Sequence, residues 1–252
     1  MARVRADVLL LARGLFESRA KARAAIEAGG VTADGQVVAK ASDLLDEACD
    51  LRGQAAHPYV GRGALKLVHA LELWPVAVEG AVVLDVGAST GGFTQVCLER
   101  GAARVYAVDV GRGQLHAKLA ADPRVTALEG LDARDLTAEL IPHPPQLVVC
   151  DASFIGLAKV LPAALALAAP GADLIALVKP QFEVGPDLVG KGGLVRDAAA
   201  RARALAGVAS FLTVSGWAVL GAADSPIQGG DGNSEYLLHA RKSRPPGGFA
   251  VV

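Results

Sequence analysis

From residue 80 onward the chain alternates short, almost wholly apolar runs with stretches of helical character. The runs are "AVVLDVGA" at 81–88, "RVYAVDVG" at 104–111, "VTALEG" at 125–130, "QLVVCDAS" at 146–153 and "ADLIALVKP" at 172–180. Runs of this length are strands, and because both faces of each are apolar, the sheet they form is covered on both sides. Strands separated by helices then demand a parallel, doubly wound α/β arrangement, with ligands beyond the carboxyl ends of the strands. A helix is predicted after each of the first four strands, and a longer one from about Asp197. Two further strands, "WAVLGAADSP" and "SEYLLHAR", bring the expected total to seven.

Composition narrows the class of protein. A hydrophobic content of 52% with 20% charged residues and a formal net charge of -1 describes a soluble globular chain without a generally basic coat. The greasiest region, 160–178, is broken by Pro162, Pro170 and Asp173, and the N-terminal "VLLLA" is too short for a signal segment, so no membrane partner is expected. Cys49, Cys97 and Cys150 are far apart and lack neighbouring histidines, which supports neither disulfides nor a metal site and fits a reducing, cytoplasmic setting.

The first 52 residues are of another kind. "RADVLLLARGLFES" carries apolar residues at helical spacing, and Ser18 caps a second predicted helix, "RAKARAAIEAGG", ended by Gly29 or Gly30. Asp34-Gly35 between apolar runs marks a hairpin. Six basic residues lie between 3 and 23, whereas Asp43, Asp46, Glu47 and Asp50 cluster near 50. Arg19 and Arg23, four apart, share a helix face that is either an ordinary solvated surface or a seat for phosphates. A Gly/Pro-containing linker is expected at 53–60, a larger domain at 61–245 and a tail at 246–252.

The turn after the first strand of the larger domain reads D-V-G-A-S-T-G-G-F from Asp85 to Phe93. A dinucleotide turn would be G-x-G-x-x-G, but Ser89 stands at the middle glycine and Asp85 precedes the first, where it would repel a pyrophosphate. A carboxylate there suits a cationic ligand such as S-adenosylmethionine, which has an ammonium, a sulfonium and no phosphate. Gly87, Ser89, Gly91, Gly92 and Phe93 are then its turn residues. Asp109, ending the second strand, is placed for both ribose hydroxyls, and Asp132, after the third, for the adenine amino group.

Two other strand ends carry unusual residues. The fourth ends in Cys150-Asp151 and the fifth in Lys179-Pro180, where the proline forbids a further ladder donor. Alternation turns Cys150 away from the side Asp151 faces, so Cys150 is read as core and not as a nucleophile. Lys66 lies on the helix leading into the sheet, and Glu235 begins the last strand.

These motifs resemble known families. Residues 3–52 resemble the S4 RNA-binding domain, with Ala6 in place of its usual leucine, which makes Arg5, Arg19, Lys21 and Arg23 candidate RNA contacts. D-x-G-x-S-x-G with acidic residues in step resembles the S-adenosylmethionine-dependent methyltransferases, whose Rossmann-like α/β fold is expected here. The set Lys66, Asp151, Lys179, Glu235 resembles the K-D-K-E tetrad of FtsJ-like RNA ribose 2′-O-methyltransferases. That resemblance implies Lys179 nearest the 2′-oxygen, as base in its neutral form, a form that burial and Lys66 favour and the carboxylates oppose. "GRGALKL", "LDVGASTGGFTQ", "DASFIGL" and "LVKPQFEVG" are similar to the TlyA, or haemolysin A, family of cytidine 2′-O-methyltransferases of 16S and 23S ribosomal RNA. The chain departs from it at Gly61, Ala152 and Gly156. The resemblance implies ribosomal RNA within ribosomal subunits as partner, and Arg62 and Phe154 as further RNA contacts, Phe154 by stacking on a base unless it is core. Alternatives are an inactive RNA-binding assembly factor and an RNA base methyltransferase; a pore former finds no spanning segment.

Overall fold

The computed structural model describes residues 3–229 and 232–243, so the expected tail lies outside the described residues. The chain forms two compact units, divided between Pro58 and Tyr59.

In the first unit, β1 (Arg3–Arg5) leads into α1 (Ala6–Ala12), followed by Gly14 at φ +67°. Ser18 then caps α2 (Arg19–Glu27), its hydroxyl accepting from the Lys21 amide at 3.2 Å. The hairpin of β2 (Val31–Ala33) and β3 (Gln36–Val37) turns at Asp34 and Gly35, both at positive φ (50° and 79°), the backbone of a type I′ turn. Strand β4 (Leu44–Asp46) pairs with β1, and β5 (Leu51–Gly53) with β2. Strand pairing thus takes in Gly53, the first residue of the expected linker. Ala6, Leu10, Phe16, Ile26 and Val31 are among the core of this unit.

In the second unit, α3 (Ala64–Leu73) precedes β6 (Val82–Val86), α4 (Gly92–Glu99), β7 (Arg104–Asp109), a single turn α5 (Ala117–Ala120) and β8 (Val125–Glu129). The helix expected after β8 is absent: only a 3₁₀ turn at Ala133–Asp135 forms, because "IPHPP" at 141–145 supplies three prolines where helix propagation would need amide donors. After β9 (Leu147–Cys150) the expected helix is split by Pro162 into α6 (Leu157–Val160) and α7 (Pro162–Leu167). Strand β10 (Asp173–Val178) runs into α8 (Pro180–Glu183), with Pro180 at its first position. The long helix α9 (Ala198–Val214) begins where expected, capped by Asp197, and β11 (Trp217–Asp224) and β12 (Tyr236–Lys242) complete the sheet.

The seven strands lie in the order β11-β12-β10-β9-β6-β7-β8, with β10, β9, β6, β7 and β8 parallel and β12 antiparallel to β10. The chain leaves β6 toward β7 on one side and returns to β9 on the other, so the switch point falls at the carboxyl ends of β6 and β9. Strand alternation sorts the core: Leu84, Val86, Val148, Cys150 and Leu174 pack with α7 and α9, while Val83, Val149, Ile175, Leu177 and Leu237 pack with α3 and α4. Asp151, Lys179 and Glu235 continue the second parity, which puts them on the face that α3 covers. At the opposite end of the strands, Asp173 accepts from His239 at 2.8 Å and from Arg241 at 2.9 Å, tying β10 to β12.

Candidate active site

The four residues of the tetrad converge. Lys66 Nζ lies 2.5 Å from Glu235 Oε2, and both side chains are buried. Lys179 Nζ lies 2.7 Å from Asp151 Oδ1, at an angle that makes this an ion pair without a hydrogen bond. Its hydrogen bonds go to the Asp151 carbonyl at 3.1 Å and to Ser153 Oγ at 2.8 Å. Each lysine therefore has its own carboxylate. All four border a cavity of about 360 Å³, together with Arg62, Phe93, Ser153 and Phe154.

The glycine turn forms the wall between this cavity and a second of about 520 Å³. Gly87 stands at φ +81°, and a Cβ on it would lie 2.8 Å from the Ala152 Cα, so the turn after β6 can lie flush against the residue after Asp151 only as glycine. Gly61 allows similar closeness: a Cβ there would sit 2.6 Å from Thr90 Oγ1. Ser89 is held at φ +47° by its amide donating to Asp109 Oδ2 at 2.8 Å and its hydroxyl to Gln114 at 3.3 Å. The other Asp109 oxygen accepts from the Gly111 amide at 2.7 Å.

Among the described residues, the second cavity is lined by Asp109 and Asp132 and by no lysine or arginine. A phosphate would meet carboxylates there with no lining cation to hold it, whereas the hydroxyls and amino group of an adenosine would find acceptors. Arg134 grips Asp132 through both carboxylate oxygens and holds its pKa down at about 2, so the carboxylate is ionised at neutral pH. Gly92 and Phe93 face the first cavity, and Gly91 serves the turn itself, at φ +95° against Leu115 and Leu119. The residues present fit S-adenosylmethionine.

Asp85, expected to face the cationic ligand, lines neither cavity. It is fully buried below the turn, with Oδ2 accepting from Thr94 Oγ1 at 2.7 Å and Oδ1 unpartnered. Burial pushes its pKa up to about 7. Because the folded value is raised, the associated stability is full below the unfolded value near 4 and is lost as pH rises through 7. The loss is on the order of 4 kcal/mol at most. Asp85→Asn, which removes this titration, is expected to flatten the fall in Tm between about pH 4 and 7 by several degrees. Parallel wild-type and variant profiles in thermal melts would contradict it.

Cys150 is buried on the opposite face, its thiol pushed up to about 12 by burial, and it cannot serve as a nucleophile at neutral pH. Sequence reasoning missed Ser153, Gln114 and Gln181. Ser153 had a signal, two residues after Asp151 in D-A-S-F; Gln114 stands in a loop and Gln181 on the single turn of α8, both without periodicity to mark them. Among the described residues no group of three or more histidine, cysteine or acidic side chains is placed to hold a metal. Among them, also, no helix is long and apolar enough to cross a membrane.

In the first unit Arg5 and Arg19 both pair with the buried Asp7, at 3.0 and 2.6 Å, and lower its pKa to about 2. Lys21 pairs with Glu17 at 2.5 Å. Arg23 is exposed on α2 and has no ion pair among the described residues.

The sheet order and the acidic, cation-free cavity beside a lysine–carboxylate cluster define a Rossmann-like methyltransferase. The FtsJ-like methyltransferase family matches residues 59–242, and the S4 domain family matches residues 4–50. The chain is 48% identical over 241 residues to the 16S/23S rRNA (cytidine-2'-O)-methyltransferase TlyA of Mycobacterium tuberculosis, covering 95% of this chain and 90% of that one. It is 36% identical to Hemolysin A of Brachyspira hyodysenteriae, over 94% and 99% of the two chains. A solved structure from Streptococcus thermophilus, 40% identical, superposes with a TM-score of 0.77 over 98% of this chain and 90% of that one. The chain belongs to the TlyA family of FtsJ-like methyltransferases that carry an S4 domain.

Proposed function

We propose that the protein transfers a methyl group from S-adenosylmethionine to the ribose 2′-oxygen of a cytidine in ribosomal RNA, in the 16S and 23S contexts that its relatives' names describe, within ribosomal subunits in the cytoplasm. The observation that carries this reading is the pair of cavities sharing Gly87, Ser89, Asp151, Ser153 and Phe154: one suits an adenosine, and the other is bordered by two lysines and two carboxylates.

When bound, S-adenosylmethionine supplies a methyl carbon already activated by its sulfonium. The chain's task is to align the 2′-hydroxyl and to manage its proton. Lys179 Nζ is the group placed to hydrogen-bond the 2′-oxygen. Ser153 Oγ can accept from the ammonium or donate to the neutral amine, so Nζ stays in place in either form. As ammonium it steadies negative charge on the oxygen; as amine it takes the proton. Lys66, held by Glu235 across the same cavity, positions the ribose. Asp109 and Asp132 hold the adenosine. Phe154, 89% exposed, is placed to stack on the base, and Arg62 on the cavity rim to meet a phosphate. Arg5, Arg19, Lys21 and Arg23 supply the S4 contacts to structured RNA, with Arg23 the one cation of the four not already paired.

The test is methyl transfer from labelled cofactor to purified ribosomal subunits, followed by digestion to nucleosides. Label on 2′-O-methylcytidine is expected. Label on a base would move the protein to another methyltransferase class, and no label on either subunit would refute the activity.

A further inference from the structure

Phe154, Gln181 and Phe182 line a third cavity, of about 710 Å³, as well as the one that holds the tetrad. Its remaining walls are Arg134 and Lys159 with Ile155, Val184, Pro186 and Val189 among the apolar residues, and among the described residues no carboxylate lines it. We propose that this groove is the subsite for the nucleotide adjoining the methylated one in a single-stranded segment of RNA; the inference rests on the ribose-methyltransferase reading above.

Three observations carry it. The groove combines aromatic rings with cations: Phe154 and Phe182 stand 5.3 Å apart between centroids at 46°, offering ring faces on which a base stacks whatever its sequence. Lys159, on α6, is exposed and has no ion-pair partner among the described residues. Arg134 is held in a fixed direction by Asp132 through Nε and Nη2, which leaves Nη1 without a partner among the described residues and the side chain 58% exposed. A stacked base flanked by cations for its phosphates is the chemistry of a nucleotide. Because the groove shares its aromatic wall with the tetrad cavity, a ribose at Lys179 leaves its neighbour there. The same wall explains a costly conformation: Phe154 stands at φ +67°, where a bulky residue is strained by about 1–3 kcal/mol. That turn points the ring outward between the two cavities.

The test is fluorescence anisotropy of a labelled single-stranded oligocytidylate with the full chain, between roughly 50 and 200 mM salt, the range over which phosphate contacts show their slope. Lys159→Gln and Arg134→Gln are each expected to make the slope of log K against log salt shallower by about 0.7 and to weaken binding roughly fourfold near physiological salt. Lys159→Gln, at an exposed position, is expected to leave S-adenosylmethionine affinity unchanged by calorimetry. If the wild type methylates ribosomal RNA while both variants keep its slope and affinity, the subsite is overturned and the enzymatic reading stands. If the wild type neither binds nor methylates RNA, both are overturned. Displacement of the oligocytidylate by a polyglutamate peptide, lost with the same substitutions, would assign the groove to an acidic protein partner and overturn the proposal.

Discussion

Lys179→Ala is expected to slow methyl transfer by about 10²- to 10⁴-fold, the range for loss of a positioned proton-transfer group. The effect should fall on kcat, with KM for S-adenosylmethionine within a few-fold of wild type, because the adenosine-sized cavity is lined by other residues. Lys179→Arg is expected to be nearly as slow. A guanidinium keeps the charge, but its planar fork cannot reproduce one nitrogen set between Asp151 Oδ1, the Asp151 carbonyl and Ser153 Oγ. Single-turnover assays separate chemistry from binding. A decrease in kcat of less than tenfold in Lys179→Ala would remove this lysine from the reaction and leave it a structural ion pair.

The second large effect is on stability. Lys66 and Glu235 are paired with side chains 8% and 3% exposed. Lys66→Ala leaves the Glu235 carboxylate buried without its cation, at a cost of about 3–5 kcal/mol. For a unit of this size that corresponds to a fall in Tm of roughly 6–20 °C. The double variant Lys66→Met, Glu235→Leu removes both charges and keeps the apolar volume, so its Tm is expected near or above the wild type's. It is expected to be inactive, since nothing then positions the ribose from that side. Melts and methyl-transfer assays on the three proteins separate the roles. A single variant as stable as wild type would contradict the burial; an active double variant would show the pair to be structural only.

Much of the fold could be read from periodicity, because strand and helix patterns are local. Each apolar run from 81 to 178 became a parallel strand, and Ser18, Asp34-Gly35 and Asp197 produced the cap, turn and cap that their side chains favour. The failures were local as well. A helix was expected between β8 and β9, where three prolines in five residues prevent one. One longer helix was expected where Pro162 divides α6 from α7. The site was legible where a residue type contradicted its surroundings: a lysine ending an apolar strand, a serine in a glycine turn, acids ending β7 and following β8.

By itself the sequence determined which residues end the strands and on which face each lies, since alternation needs only neighbours along the chain. It also determined that the turn after β6 was wrong for a dinucleotide. Only the tertiary structure decided the pairing: Lys66 meets Glu235 from 169 residues away, while Lys179 is held by Asp151 and by Ser153, which the sequence reading had passed over. It decided that Asp85 lies buried under the turn, and that Arg5 and Arg19 share Asp7. The physical reason is range. Periodicity acts over a few residues, whereas an ion pair forms only when strand order and crossovers bring two groups within 4 Å, and burial depends on everything packed around them.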